Sequence, residues 1–303
     1  MTPATLHYLH LDVFTSNRFE GNQLAVFPNA PEIPKALMQQ IAAEMAFSES
    51  TFIFPASGKG DVRMRIFTPG EELPMAGHPT IGSTFALAAE GTIARGRESF
   101  VFELGVGPID VSLEWGIDGL SFAWMTQLLP AFGPTATNRI EIAAALGLDP
   151  TDLDGDRPAE VVSCGVPFLF LPLCTRRAVD AVVIDRRALL RAFEGSGMEE
   201  LPVFVFTGEK GDGDETVYSR MLAPGFGIAE DPATGGASGP LGCYLLQHGM
   251  VTEAQARRMI SLQGVAMKRP SRIHISIDSE AGRITRVRVG GEAVLVGRGE
   301  LML

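Results

Sequence analysis

A six-residue pattern occurs twice in this chain of 303 residues, and each copy leads into a glycine-rich turn and then an apolar segment of helical length. The first copy, RIFTPG at 65–70, precedes the turn AGHP at 76–79; the second, RMLAPG at 220–225, precedes DPATGG at 231–236. A weaker echo upstream of each copy links 21–28 with 165–172. Because the matched segments keep the same order, the sequence predicts two similar halves, which would set two equivalent helix starts at a shared cleft.

The glycine and proline content favours many short strands joined by tight turns. With 34 glycines and 20 prolines, the chain is too rich in turn formers for a helical bundle. Periodicity predicts helices over 34–45, 79–90, 138–146, 186–194, 239–248 and 253–259. It predicts strands over 8–14, 23–27, 50–55, 62–67, 100–103, 109–113, 120–124, 161–163, 167–173, 203–207, 217–222, 265–267, 273–277, 285–289 and 293–296. The stretch 128–135 is predicted to join the halves.

Net charge and cysteine usage limit the classes of partner. The 25 basic and 36 acidic side chains leave a formal net charge of −11, which argues against nucleic acid and anionic membranes, since both bind basic surfaces. No apolar run is long enough to span a membrane, and 1–10 lacks the pattern of a secretory signal. Three cysteines without CxxC spacing are typical of buried thiols in a reducing compartment. We therefore expect a cytoplasmic protein.

The two glycine-rich turns are candidate anion sites. A helix N-terminus carries unpaired N–H groups and about half a positive charge, and Gly77, Gly235 and Gly236 would let a carboxylate approach the backbone closely. Either turn alone could be an ordinary cap, but the matched pair favours a clamp for a small carboxylate. His78, at the first helix start, is expected to be a neutral hydrogen-bonding ring, because the helix dipole disfavours its protonated form.

Glu49 is a candidate general acid/base. It lies between a predicted helix and an apolar strand, where an acidic residue is usually just solvated. However, Phe47, Phe52 and Phe54 flank it. Apolar walls around a carboxyl group raise its pKa and suit it to proton transfer.

Asp231 opens the second glycine-rich turn and has two interpretations. It is either the N-cap of the following helix or a carboxylate that orients a substrate. Glu230 beside it either faces water or raises the pKa of Asp231 through like charge.

Several familiar catalytic patterns are absent from the sequence. It has no GxxxxGKS/T or GxGxxG motif at a strand-to-helix junction, no HxxxH or CxxC pair, and no GxSxG elbow. Cys164 and Cys174 lie in apolar, strand-like segments and are predicted to be core residues. We therefore expect no nucleotide cofactor and no metal site.

The chain resembles the phenazine-biosynthesis isomerase-like (PhzF-like) family, which has the diaminopimelate epimerase fold. The segments that carry the resemblance are LDVF (11–14), FEGN (19–22), FSESTF (47–52), RIFTP (65–69), ELPMAGHPTIG (72–82), EDPATG (230–235), QG (263–264) and RPS (269–271). The resemblance implies an α+β fold of two pseudo-symmetric domains, each a curved, mostly antiparallel sheet or barrel wrapped around a central helix. It implies domains of 1–127 and 128–291, with a final strand, 292–303, that crosses back to the first.

The resemblance also implies a site and a chemistry. Glu49 matches the family's acid/base glutamate, and His78 and Asp231 match residues that hold the substrate. Ser48, Gly77 and Gly235 match positions near the bound ligand, which lies in the cleft between the domains. The implied activity is a cofactor-free proton transfer between carbons of a small carboxylate-bearing substrate, and the implied assembly is a homodimer.

One position departs from the family pattern, which usually reads Asp-Pro-x-Thr-Gly-Ser-Ala. Gly236 stands where the family has serine, so a hydroxyl that would contact substrate is missing, while the backbone N–H groups remain. The same fold hosts epimerases and racemases that use two cysteine thiols, but neither glycine-rich turn here carries a cysteine. An isomerase with one carboxylic acid/base is therefore predicted, with an epimerase or racemase, or a non-catalytic small-molecule binding protein, as the alternatives.

Overall fold

The computed structural model describes residues 5–136, 138–194 and 200–303. The chain divides into two units. Unit 1 comprises the described residues of Met1–Thr126 and Val289–Leu303, and unit 2 comprises those of Gln127–Arg288.

Unit 1 contains a sheet and two helices. Its elements are β1 (Thr5–Val13), β2 (Asn22–Phe27), α1 (Lys35–Met45), β3 (Glu49–Pro55), β4 (Val62–Phe67), β5 (Glu72–Leu73), α2 (Gly77–Ala89), β6 (Ser99–Leu104), β7 (Gly107–Trp115), β8 (Leu120–Gln127) and, from the end of the chain, β18 (Ala293–Met302). The last strand runs antiparallel to β1, so both ends of the chain contribute to this sheet.

The helix α2 is the centre of unit 1. It contacts β1, β2, β3 and β18, and ten of its thirteen residues are buried. The strands come close enough that a Cβ on Gly82 would lie 2.7 Å from a methyl of Val13, which explains why small residues predominate in this helix. The other face of β3 packs, together with α1, into a core that includes Phe27, Phe52 and Phe67.

Unit 2 repeats this arrangement with additional helices. Its elements are β9 (Ala131–Ala136), α3 (Arg139–Ala145), a 3₁₀ turn (Pro150–Asp152), β10 (Ala159–Ser163), β11 (Pro167–Pro172), α4 (Arg176–Ala181), α5 (Arg186–Ala192), β12 (Val203–Thr207), β13 (Val217–Ala223), a 3₁₀ turn (Pro224–Phe226), β14 (Ile228–Asp231), α6 (Gly235–Gln247), α7 (Glu253–Ala256), β15 (Met259–Gln263), β16 (Ser271–Glu280) and β17 (Arg283–Gly291), which runs past the unit boundary. The buried α6 contacts β10, β11 and β16, and α3, α4 and α5 cover a second core.

The strand pairing of the two units matches ladder by ladder. β1–β2 and β10–β11 are antiparallel, whereas β2–β3 and β11–β12 are parallel. β4 pairs with β3 and β5 antiparallel and with β6 parallel, just as β13 pairs with β12, β14 and β15. The ladders β1–β18 and β10–β9 correspond as well. The predicted α+β fold of two pseudo-symmetric halves, each with a sheet around a central helix, is confirmed.

The central helices are apolar on most sides because strands of the surrounding sheets enclose them. Each has thirteen residues, and among the described residues no helix is long and apolar enough to cross a membrane.

The structure corrects two local predictions. The helix predicted over 253–259 ends at Ala256, and Met259 begins β15; the strand predicted over 265–267 is a turn that follows Gly264, whose φ is +76°. The stretch 128–135, for which no strand is predicted, contains most of β9, which pairs with β10; that it joins the halves stays a prediction. Long-range pairing, not local propensity, decides these strands.

One cysteine is not where the sequence predicted. Cys164 and Cys243 are buried, but Cys174 is exposed. The apolar strand β11 ends at Pro172, two residues before Cys174, so the thiol lies outside the strand. Its Sγ lies 3.6 Å from the backbone oxygen of Thr151.

Candidate active site

Glu49 is the first residue of β3, and strand alternation decides what its carboxylate meets. Side chains on a strand point alternately to opposite faces, so Glu49 shares a face with Thr51, whose Oγ1 lies 2.9 Å from Oγ of Ser83 on α2. Phe52 and Phe54 point the other way into the core with α1. The expectation that the flanking phenylalanines form apolar walls against the carboxylate was therefore wrong for these two residues.

His78 brings Glu49 and Asn22 together. It is the second residue of α2; its Nε2 lies 3.2 Å from Oε2 of Glu49, and its Nδ1 lies 3.3 Å from Nδ2 of Asn22. The side chain of Glu49 is 14% exposed and that of His78 only 4%. Burial lowers the pKa of His78 to about 3, although a hydrogen bond with the backbone of Gln23 opposes the shift. The direction agrees with the expected neutral ring, but the main cause is burial rather than the helix dipole.

Asp231 ends β14 and is not the N-cap of α6. That position belongs to Thr234. The Thr234 hydroxyl donates to Oδ2 of Asp231 over 2.5 Å, and the buried Gln263 amide donates to the backbone oxygen of Asp231 over 2.7 Å. The N-cap interpretation of Asp231 was therefore wrong.

Glu230 is mostly buried, and its carboxylate forms an ion pair with Arg220. Arg220 donates to both of its carboxylate oxygens, over 3.0 and 2.8 Å, and the Glu230 side chain is 14% exposed. Since the guanidinium compensates this carboxylate, the predicted like-charge effect on Asp231 loses its basis.

The remaining predicted site residues lie at the two helix starts or beside Glu49. Ser48 is half-buried just before β3; Gly77 is the first residue of α2, and Gly235 and Gly236 are the first two of α6. The N-cap residue accepts no helical N–H through its side chain in α2 or α6. In contrast, α3, α4, α5 and α7 each have such a bond. The two central helices thus keep their first N–H groups free of N-cap side chains.

The register of the strands identifies which residues occupy equivalent positions in the two units. Phe52 pairs with Arg65 as Val205 pairs with Arg220, so Glu49, three residues earlier, corresponds to Pro202. His78 and Gly236 are both second residues of the central helices. At these equivalent positions, therefore, the acid and the imidazole are present in unit 1 and absent from unit 2. Among the described residues, no group of three or more His, Cys, Asp or Glu side chains is arranged to hold a metal ion.

Comparison with known proteins places the chain in a family. The model of the PhzC-PhzF family, described as "Phenazine biosynthesis-like protein", matches residues 11–299. The chain belongs to this family. It is 37% identical over 298 residues to a trans-2,3-dihydro-3-hydroxyanthranilate isomerase of Pseudomonas fluorescens, covering 98% of this chain and 99% of that protein. The predicted family and the enzyme class, an isomerase, are confirmed.

Solved structures agree with this membership. A PhzF-family phenazine biosynthesis protein of Bacillus anthracis superposes with a TM-score of 0.87 at 25% identity and covers 99% of this chain and 100% of its own. A hydroxyproline epimerase of Agrobacterium vitis, at 13% identity, shares the fold with a TM-score of 0.64 and covers 99% and 93%.

Sequence reasoning missed three polar residues that the structure brings to the predicted ones. They are Asn22, Thr234 and Gln263, which contact His78 or Asp231. Each lies inside a segment that carries the family resemblance, so motif membership was the available signal. Their partners are distant in sequence or one turn away, which composition and spacing do not reveal.

Proposed function

We propose that this PhzC-PhzF family member moves a proton between two carbons of a small carboxylate-bearing substrate, with Glu49 as general acid/base and without a cofactor. The observation that carries the proposal is the presence of the Glu49–His78 pair in one unit only at equivalent positions. Glu49 and His78 lie in contact in unit 1, whereas their counterparts in unit 2 are Pro202 and Gly236. An epimerase that uses two bases would need a second base from unit 2, where the carboxylate assigned to the site, Asp231, accepts the Thr234 hydroxyl and occupies no position equivalent to Glu49.

The proton leaves one carbon for the Glu49 carboxylate and returns from it to another carbon of the same conjugated system, so no atom or electron is gained or lost. The neutral, buried His78 is suited to orient the carboxylate and the substrate rather than to carry charge. Negative charge that builds up on the substrate while the proton is away needs fixed donors. The uncapped starts of α2 and α6, at Gly77, Gly235 and Gly236, are the proposed donors.

We propose that Ser48 and Asp231 contact the same substrate molecule as Glu49 and His78. Asp231 is 9% exposed and is fixed by Thr234 and Gln263, as expected of a group that orients a ligand rather than one that shuttles protons. A homodimer, a cytoplasmic location and the domain boundaries 1–127 with 292–303 and 128–291 remain predictions.

The first substrate to test is trans-2,3-dihydro-3-hydroxyanthranilate, on which the Pseudomonas fluorescens relative is named to act, followed by other small unsaturated carboxylates. In D₂O the wild-type protein should isomerise a substrate and introduce deuterium at the carbon that receives the proton, as measured by NMR. Glu49→Gln should lower kcat/KM by about a thousandfold, because the amide cannot take up the proton.

Glu44→Gln is the matched control, since Glu44 is an exposed acid on α1 and its change should leave kcat/KM within twofold of wild type. Glu49→Gln activity within threefold of wild type would remove Glu49 from the mechanism. A wild-type protein that exchanges no proton of any carboxylate that binds to it would overturn the proposal as a whole.

A further inference from the structure

Unit 2 has three polar residues at positions where unit 1 is apolar. Met221 pairs with Asp231 as Ile66 pairs with Leu73, so Asp231 corresponds to Leu73. Thr234 and Ala76 are the two N-cap residues. Gln263 and Leu104 are the last residues of the equivalent strands β15 and β6. Since unit 1 builds the same ladders and helix start from Leu73, Ala76 and Leu104, the fold itself does not require the polar set.

Both polar atoms of the Gln263 side-chain amide form hydrogen bonds with Asp231 or Thr234. Its Nε2 donates to the backbone oxygen of Asp231 over 2.7 Å and to Oγ1 of Thr234 over 3.0 Å, and its Oε1 accepts the backbone N–H of Thr234 over 3.1 Å. The backbone N–H is only a donor, which fixes the orientation of the amide. Gln263 is fully buried, so these bonds are made without competition from water.

The Gln263 amide also decides what the Thr234 hydroxyl does. A threonine at the N-cap usually accepts an N–H of the first helical turn through its oxygen, but here Gln263 donates to that oxygen. The hydroxyl proton is then directed to Oδ2 of Asp231, 2.5 Å away. One amide thus turns the threonine from a helix cap into a donor to Asp231, and the side chain of Thr234 accepts no N–H at the start of α6.

We infer that Gln263 and Thr234 are positioning residues, which hold the Asp231 carboxylate in one orientation and keep the start of α6 open for an anionic group of the substrate. The inference rests on the proposed function in two respects, that Asp231 contacts the substrate and that the start of α6 binds its anionic group. Neither residue touches the reacting atoms, so their effect on the reaction passes through Asp231 and the helix start.

A double-mutant cycle separates positioning from general packing. Thr234→Val keeps the shape but removes the hydroxyl and should lower kcat/KM about tenfold or more, the usual cost of a hydrogen bond to a charged group. Thr234→Ser should stay within threefold of wild type. In the Asp231→Asn background, Thr234→Val should cost less than threefold, because the carboxylate it positions is already gone.

Equal losses in both backgrounds, or no rescue by serine, would overturn the inference. Thr285→Val is the control for this substitution, since Thr285 is exposed on β17, outside the site, and should keep wild-type kcat/KM.

A spectroscopic readout keeps the test independent of any substrate. The ¹³C signal of the Asp231 side-chain carboxyl at pH 7 should move in Thr234→Val and return to its wild-type position in Thr234→Ser. A signal that Thr234→Val leaves in place would overturn the inference even in an active enzyme. A wild-type protein without activity on any carboxylate would instead overturn the proposed function, while this readout still decides how Asp231 is held.

Gln263→Leu places the residue of unit 1 at the corresponding position of unit 2. The variant should lose kcat/KM about tenfold or more although Thr234 and Asp231 are both present, and its far-UV circular dichroism should match that of the wild type. A folded Gln263→Leu protein with wild-type kcat/KM would contradict the role of Gln263. If Gln263→Leu does not fold, the Thr234 variants alone test whether the Asp231 carboxylate is held in position.

Discussion

At the scale of single residues, the positions of a few side chains follow from strand alternation and from helix phase. Glu49 meets His78 because the first residue of β3 points to the face that α2 covers, while Phe52 points away from it. The local sequence marks both Glu49 and His78 as candidates, and the family resemblance gives them their proposed roles. It misjudged the apolar surroundings, because flanking residues in sequence are not neighbours on a strand.

Gly236 offers a test of the departure from the family pattern. A Cβ there would lie 3.9 Å from the ring of Phe168, an ordinary contact, so Gly236→Ser should fold normally. Serine is the better helix former, and the free energy of unfolding in urea should rise by about 0.5 kcal/mol. The added hydroxyl at the helix start should change KM for a carboxylate substrate more than kcat.

Gly239→Ser is the contrasting variant for Gly236→Ser. A Cβ on Gly239 would overlap the amide of Gln127, so this change should destabilise the protein by about 1–3 kcal/mol. A Gly236→Ser protein that is destabilised as much as Gly239→Ser would show that the space at residue 236 is not open.

At the scale of elements, the repeated RxxxPG pattern has a structural reason in both units. Arg65 on β4 donates to both carboxylate oxygens of Glu72 on β5, over 2.7 and 2.9 Å, as Arg220 on β13 does to Glu230 on β14. Arg65 lowers the pKa of Glu72 to about 2, mainly through these hydrogen bonds. Each arginine ties a short strand to the long strand beside it, just before a central helix begins.

The two arginines should differ in their contribution to stability. Arg220 is more buried and also donates to the backbone oxygens of Val179, Asp180 and Val182. Arg220→Met should lower the free energy of unfolding by about 3–5 kcal/mol, because it leaves a buried carboxylate and three carbonyls without their donor. Arg65→Met should cost about 1 kcal/mol, since the Arg65 and Glu72 side chains are each 23% exposed.

Urea unfolding of both methionine variants against wild type measures this difference. Equal losses would mean that burial of the Arg220 pair and its extra bonds add nothing to stability.

The elements also show where prediction from sequence stops. The sequence predicts helices that have a clear apolar pattern. However, α6 starts four residues before the predicted 239, because the glycines of its first turn have low helix propensity. The sequence does not predict β9 as a strand, since it contains Gly133 and Pro134; both are tolerated on a strand whose residues are almost all exposed. The sequence alone assigns no role to Gln263, because its role depends on a hydrogen bond with Asp231, which lies thirty-two positions away.

At the scale of the whole molecule, the two units have equivalent ladders down to a shared irregularity. The register of β1 against β18 shifts between His10 and Leu11, and that of β10 against β9 shifts between Glu160 and Val162. Through the pairings of β2 and β11, Leu11 and Val162 occupy corresponding positions. A bulge retained in both units indicates that they descend from one structural template.

Removal of residues 293–303 should destabilise unit 1 selectively. The deletion takes away β18, which pairs with β1 along its whole length, and with it the contact of Leu301 with the core of unit 1. Hydrogen exchange should become faster in β1, β2 and α2, while α6 and β13 keep most of their protection. Uniformly faster exchange throughout the chain would contradict this prediction.

The order of the strands contains a reciprocal exchange. If the chain is divided into a first repeat of β1–β9 and a second of β10–β18, then β9, the last strand of the first repeat, pairs with the first strand of the second. The last strand of the second repeat, β18, pairs with the first strand of the first. The final strand of each repeat is therefore part of the sheet of the other repeat, and each sheet contains one strand from the other repeat. A chain with a single repeat would complete its sheet by exchanging the final strand with a second copy of itself. Fusion of two such genes would then join the two subunits of a strand-swapped dimer covalently.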